Sequence, residues 1–260
     1  MDRPPEIDRL ATAADVVAMA ERLYGAPLTP GDGRRVIHPT AVWRRGDGAL
    51  VTLKINDATP KSAHDFFVLN LCRARADAIV TSGKILREES DLRHDLQGPA
   101  KDALQAWRRD ELGKTAPPVS LVLTSGRGLD LRHLLFRGAT RPVVYTSHEG
   151  AERLAGADVE VVAAAAPSLR GALAELEERY GARVISIEAG PSSTAALYEP
   201  PPAVDELLLS VYEEREIPER VRGGAFLEPR RLAALFARPR PPYRTPAASG
   251  RWSFARYLRR

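Results

Sequence analysis

Four short stretches gather hydroxyls, glycine and charge where an apolar segment gives way to a turn. Thr81-Ser82-Gly83-Lys84 follows Ala78-Ile79-Val80, and Thr124-Ser125-Gly126-Arg127 follows Val119–Leu123. Thr146-Ser147-His148 follows Pro142–Tyr145, and Glu188-Ala189-Gly190-Pro191-Ser192-Ser193 follows Val184–Ile187. Glycine lets a backbone approach a ligand closely, Lys or Arg favours an anion, and a helix start leaves N–H groups unpaired, so such stretches suit phosphate. Each is equally an ordinary strand-to-helix turn, with Ser192 or Ser193 as N-cap of the last. Their joint position at the ends of expected strands points to one phosphate-bearing cofactor. No G-x-G-x-x-G occurs, so this is not the usual dinucleotide fingerprint.

Other chemistries find less support. Cys72 is the only cysteine, which excludes an internal disulfide and a cysteine-rich metal cage. Its neighbours Val68, Leu69 and Leu71 make it a buried structural thiol. The five histidines (His38, His64, His94, His133, His148) lack H-E-x-x-H or H-x-x-x-H spacing, so no metal site is expected.

The elements that must position these stretches alternate between helical and strand periodicity. Ile7 to Tyr24 reads as an amphipathic helix ended by Gly25 and Pro27, Ala63 to Arg75 and Pro99 to Glu111 as helices, and Leu169 to Tyr180 as another. Strands are expected at Val51–Ile55, Ala78–Val80, Val119–Leu123, Pro142–Tyr145, Val159–Val162, Val184–Ile187 and Glu206–Tyr212, with a strand-like segment at Trp252–Tyr257. Strands separated by helices imply an α/β fold, a largely parallel sheet with helices on both faces and ligands at the carboxyl ends of strands. The expected organisation is a helical extension over residues 1–45 and one domain over 46–260, with a Pro/Gly-rich loop at 238–250.

A chain of 260 residues with 44% apolar content can bury one large core. The first ten residues are polar and no apolar run approaches the ~20 residues that span a bilayer, so a soluble, cytoplasmic protein is expected. From Arg215 to Arg260 there are twelve Arg against three Glu in a chain of net charge +4. The segment is broken by Pro239, Pro241, Pro242 and Pro246 and forms no basic helix face. Nucleic acid is therefore a poor fit, and a solvated flank, or one that meets phosphorylated small molecules, a better one.

Arg73-Ala74-Arg75-Ala76-Asp77-Ala78-Ile79-Val80 resembles the "LRA-x-ADAIL" segment of the riboflavin-biosynthesis reductases, the reductase half of bifunctional deaminase-reductases. Ile187-Glu188-Ala189-Gly190-Pro191 followed by Val204-Asp205-Glu206-Leu207 is similar to the family's "EGGP…VDEL" pair. With Leu53-Lys54, the resemblance covers residues 50 to 215. It implies a dihydrofolate reductase-like fold whose last strands run antiparallel, NADPH as cofactor, a homodimer, and reduction of 5-amino-6-(5-phosphoribosylamino)uracil. The alternatives are a reductase of the same fold acting on a pterin-like or secondary-metabolite substrate, and a catalytically silent nucleotide-binding protein.

Carried onto this chain, the resemblance places the pyrophosphate turn on Ser82, Gly83, Lys84 and Ile85. It places the adenosine-phosphate loop on Thr124, Ser125 and Arg127, and the loop closing over pyrophosphate and nicotinamide on Glu188, Ala189, Gly190, Pro191 and Ser192. Asn56 and Thr146 complete the cofactor contacts, and Ala189–Gly190 is expected as a tight, cis-capable peptide. The family's "SLDG" after its first strand is replaced by Ala58-Thr59-Pro60-Lys61. That leaves Asp57, His64 and Glu188 as candidate acids or substrate anchors, and Lys61 or the Arg-rich tail for a substrate phosphate. Asp57 or Ser62 serves equally as a helix cap, and Glu188 as a partner of its own turn.

Overall fold

The computed structural model describes residues 7–29, 35–247 and 250–260. Its strands are β1 (Arg35–Arg44), β2 (Leu50–Leu53), β3 (Ala78–Ser82), β4 (Val119–Leu123), β5 (Arg141–Ser147), β6 (Glu160–Ala164), β7 (Val184–Ile187), β8 (Glu206–Tyr212), β9 (Arg222–Ala225), β10 (Phe236–Ala237), β11 (Tyr243–Ala247) and β12 (Gly250–Arg259). Its helices are α1 (Ala13–Tyr24), α2 (Ala63–Arg75), α3 (Gly83–Glu88), α4 (Lys101–Asp110), α5 (His148–Arg153), α6 (Leu169–Tyr180), α7 (Pro191–Thr194) and α8 (Pro229–Leu235).

All the strands belong to one mixed sheet, ordered β10-β12-β8-β1-β7-β3-β4-β5-β6, with β2 and β9 attached beyond β1 and β11 beside β12. From β8 across to β6 every pair is parallel, whereas β12 runs antiparallel to β8. Alternation along the strands feeds two cores. On β8, Leu207, Leu209 and Val211 face a layer that includes Leu173 and Leu176 of α6, while Leu208 and Tyr212 face α1, α2 and α4. Val36 and Ile37 of β1 divide the same way.

Several sequence expectations are corrected here. The strand β1 was not foreseen, because His38-Pro39-Thr40 interrupts its apolar pattern. Yet it is the sheet's central strand, bonded to β8 over seven residue pairs and to β7 over three. The division at residue 45 therefore does not separate an extension from the domain: α1 and β1 contribute Val16, Met19, Leu23 and Ile37 to the same core as α2. Residues 1–6 and 30–34 of that segment, and 248–249 of the expected 238–250 loop, lie outside the described residues. The strand expected at 51–55 is β2, antiparallel to β1, so residues 58–61 do not follow the first parallel strand. The helix expected from Ile7 begins as a single 3-10 turn, Ile7–Arg9, and restarts at a capping box in which Thr12 and Asp15 satisfy each other's backbone N–H. The expected 238–250 loop contains β11, the hairpin partner of β12. Among the described residues the cis peptide is Pro200–Pro201, so Ala189–Gly190 is trans.

Candidate active site

The main cavity opens where β1 and β7 part. Along β1 the Arg35 N–H bonds the Arg183 carbonyl on the β7 side, while the Val36 carbonyl accepts from Asp205 on the β8 side. By this alternation Pro39 stands where the next β7-facing donor would be, and proline has none. Pairing with β7 ends at Ile37 opposite Ser186. Beyond it lies a cavity of about 810 Å³ at the carboxyl ends of β7 and β3 and beside the middle of β1, His38 to Ala41.

Its walls come from distant parts of the sequence. The β3–α3 turn contributes Ser82, Lys84 and Ile85, and the segment after β7 contributes Glu188 through Thr194. The β2 end brings Lys54 and Asn56, α2 brings Asp65 and Arg73, and β8 brings Ser210. Residues 223–226, led by β9, close the far side, where a Cβ on Gly224 would lie 2.9 Å from Pro191 Cγ. That close approach requires a glycine.

A buried charge framework holds this mouth in shape. Arg73 Nε and Nη2 donate to the Glu188 carboxylate at 2.9 and 2.7 Å. Burial works against the Glu188 charge, but Arg73 more than offsets it and the carboxyl stays below its usual range. His94 Nδ1 lies 2.6 Å from Ser120 Oγ, and its Nε2 lies 3.9 Å from Glu188 Oε2. Burial lowers the His94 pKa to about 4 and keeps the ring neutral. Glu89, on the cavity wall beside them, is raised to about 7 by burial and by the Glu188 charge.

The expected site residues divide into three groups. Asn56, Ser82, Lys84, Glu188, Ala189, Gly190, Pro191 and Ser192 meet around the cavity. Ser82 also caps α3 through the Ile85 N–H, and Asn56 shapes its own turn by accepting from the Ala58 N–H. A second group, Gly83, Thr124, Ser125 and Arg127, lies outside the cavity wall but adjoins it, since a Cβ on Gly83 would lie 2.5 Å from Thr124 Oγ1. Arg127 is 74% exposed and 3.6 Å from Glu149. Thr146 is buried, its hydroxyl without a partner.

The third group is not part of the cavity wall. The Asp57 side chain is 80% exposed and among the described residues pairs with Arg220, at 3.4 Å. His64 packs beside the rings of Tyr243 and Phe254, and burial, with Arg22 nearby, lowers its pKa. Neither meets the cavity, because the 56–59 turn and the start of α2 carry them outward. Glu188 does line it, but as an ionised partner of Arg73 rather than a proton donor. Neither Lys61 nor any arginine of the 215–260 segment lines the cavity; the lining cations are Lys54, Lys84 and Arg73.

Sequence reasoning missed His38, Thr40, Asp65, Glu89 and Ser210, all on the cavity wall. His38 is buried with its Nδ1 against the Tyr198 hydroxyl, and burial lowers its pKa to about 4. Asp65 carried a misleading signal, since Ser62-x-x-Asp65 has the spacing of a capping box.

A mostly parallel sheet closed by an antiparallel strand, with its cavity at the carboxyl ends of the central strands, is the dihydrofolate reductase-like α/β arrangement. Solved structures share it. A pyrimidine reductase-like protein of Corynebacterium diphtheriae is 21% identical, with 96% of this chain and 99% of that one covered at a TM-score of 0.64. Acinetobacter baumannii RibD is 17% identical over 88% of this chain, at a TM-score of 0.60. A Thermotoga maritima diaminohydroxyphosphoribosylaminopyrimidine deaminase/5-amino-6-(5-phosphoribosylamino)uracil reductase is 14% identical over 88%, at 0.56. The chain spans only 58% and 57% of the length of the last two. By sequence, no family model and no curated relative matches it, so the likeness is one of fold. No helix among the described residues is long and apolar enough to cross a membrane.

Proposed function

We propose that the protein is an NADPH-dependent reductase that delivers hydride to a C=N or C=O carbon of a small nitrogen heterocycle. The observation that carries this reading is the continuity of the surface from the 188–192 segment, through Ser82 and Lys84, to Gly83 and the Thr124–Arg127 loop packed against it. An extended dinucleotide needs such a path. The donor set suits its parts: Lys84, exposed and only 3.9 Å from Glu88, for the pyrophosphate, and Arg127 for a 2′-phosphate. The cofactor supplies a hydride. The chain's own residues orient the substrate, exclude water and carry the accompanying proton, while the Arg73–Glu188 pair keeps the closing segment in place.

The riboflavin precursor is one candidate substrate and an unphosphorylated heterocycle another. The lining favours the second. Four carboxyl groups (Asp65, Glu88, Glu89 and Glu188) face the cavity. Of its cations, Arg73 is engaged by Glu188, and Lys84 is assigned here to the cofactor. Only Lys54 remains for a substrate phosphate.

The cofactor reading is tested by titrating NADPH and NADH against the protein. NADPH is expected to bind more tightly, and Arg127→Ala to remove most of the difference, on the order of 1–3 kcal/mol. Equal affinities in the parent protein would refute NADPH preference.

A further inference from the structure

The buried histidine on the cavity wall leaves one ring nitrogen unused. Along β1, Ile37, Ala41 and Trp43 join the core under α2, while Val36 and Val42 join the one under α6, so His38 and Thr40 lie on the second face. His38 is only 3% exposed, and its Nδ1 is hydrogen-bonded to the Tyr198 hydroxyl. Its Nε2 has no hydrogen-bond partner among the described residues, although the ring lines the cavity. Thr40 lines the cavity beside it.

The surroundings decide which nitrogen carries the hydrogen. Burial lowers the His38 pKa to about 4, so the ring is neutral and carries one N–H. Burial likewise raises the Tyr198 pKa, which keeps its hydroxyl protonated. That O–H is buried, and His38 is its hydrogen-bond partner among the described residues. Were the hydrogen on Nδ1, it would point at the Tyr198 oxygen and strand the phenolic O–H without an acceptor. With Tyr198 donating to Nδ1, both groups are satisfied and the hydrogen sits on Nε2. The tyrosine is held in that orientation: Phe226 and Phe236 stand edge-on to its ring at 5.9 and 6.1 Å, and Arg231 Nη2 donates to its carbonyl at 3.2 Å.

We propose that His38, fixed by Tyr198 with its hydrogen on Nε2, and the Thr40 hydroxyl bind the amide edge, C=O beside N–H, of a molecule in the cavity. Nε2–H donates to the carbonyl oxygen, and Thr40 Oγ1 accepts from the amide N–H. The two residues are about 6.6 Å apart along the strand, a span that one amide with a hydrogen bond at each end bridges. Because the imidazole is neutral, the pair favours an uncharged amide over a phosphate or carboxylate. His38 is a binding residue here and Tyr198 a positioning one. Two molecules of the reductase reading carry such an edge: the nicotinamide, through its carboxamide, and a heterocycle with a ring amide. Only the choice between them rests on that reading; the tautomer and the amide site do not.

Two measurements test this. Nitrogen-15 NMR of the imidazole should find the hydrogen on Nε2 in the parent protein and shared between both nitrogens in Tyr198→Phe, which leaves the ring in place. Calorimetry then compares NADPH with 2′-phospho-ADP-ribose, which lacks the nicotinamide, and separately with uracil, which carries a ring amide. If the nicotinamide is the partner, His38→Phe weakens NADPH about tenfold and leaves 2′-phospho-ADP-ribose unchanged. His38→Gln, which restores an N–H donor, should then recover most of the loss. A loss confined to uracil assigns the site to the heterocycle instead. A parent protein that binds uracil through His38 but does not bind NADPH would refute the reductase reading and leave the amide site standing. Should His38→Phe lose every ligand alike, Tyr198→Phe decides, with the same pattern expected at a few-fold. Hydrogen on Nδ1 in the parent, unchanged affinity of His38→Phe for both NADPH and uracil, or a parent that binds neither would each overturn the inference.

Discussion

Glu206, fully buried, and Asp65, half-buried on the cavity wall, are both acids set into the interior side of the fold, and the protein treats them in opposite ways. Glu206, at the start of β8, accepts from Arg75 at 2.8 Å, Arg256 at 2.6 Å and Arg35 at 3.3 Å. Burial opposes its charge, but these guanidinium groups outweigh burial and lower its pKa to about 2. Asp65 has no cation paired with it among the described residues, and burial raises its pKa. The first arrangement locks α2, β1, β8 and β12 together. The second leaves a proton-holding group uncommitted on a cavity wall. Identical chemistry becomes scaffold or site according to whether the fold supplies a counter-charge.

The largest effect should come from breaking the locked arrangement. Glu206→Ala leaves the guanidinium of Arg75, itself fully buried, facing no carboxylate, and should cost about 3–5 kcal/mol by denaturant unfolding. The sign of the pH dependence follows from the depressed pKa. Glu206 contributes stability that is fully present above its unfolded value and is lost as pH falls from about 4.5 towards 2. Glu206→Gln should flatten that acid limb; an unchanged limb would show that the three arginines do not hold the carboxylate ionised.

Asp65 should respond in the opposite direction and less strongly. Because its folded pKa is raised by burial, only partly opposed by the Ser210 hydroxyl, stability is lost as pH climbs through the folded value, when a carboxylate must be held without a counter-charge. Asp65→Asn should therefore stabilise the protein at pH 8 by about 1–2 kcal/mol, the scale of an unpaired buried polar group, and change little at pH 3. Thermal unfolding at both pH values checks this. Equal effects at the two would mean that Asp65 has a counter-charge after all.

The difference between the two acids also explains how much could be read from sequence. The segments that carried the resemblance are the charge framework itself. Arg73 and Arg75 of one motif grip Glu188 and Glu206 of the other two, and Asp77 accepts from the Arg183 and Val184 N–H groups and from Lys114. Constraints of that kind fix residue types and spacing, and with them the fold, the loop after β7 and the turn after β3 were legible. The opposite wall of the cavity was not. Asp65 carries the spacing of an ordinary helix cap, and Ser210 is one hydroxyl in a strand. The cavity between β1 and β7 depends on a proline that made β1 look like a loop. Each acquires its role only from what the fold places opposite it.

The smallest effect should fall on Asp57, one of the three candidates the resemblance left for an acid or substrate anchor. Asp57 sits on the exposed turn after β2, and its one ion-pair partner among the described residues, Arg220, is itself 65% exposed at 3.4 Å. Two exposed side chains that must each give up rotamer freedom to meet gain little, so Asp57→Ala should change stability by less than about 1 kcal/mol. It should also leave NADPH oxidation, where a substrate supports it, within about twofold of the parent. A general acid would instead cost on the order of 10²-fold or more, and the two outcomes are far enough apart for a single steady-state assay to separate. A large loss would mean that the 56–59 turn swings over the cavity during turnover and that the proton comes from there. A negligible loss would leave the proton to a group on the cavity wall itself, which the 56–59 turn does not reach with Asp57.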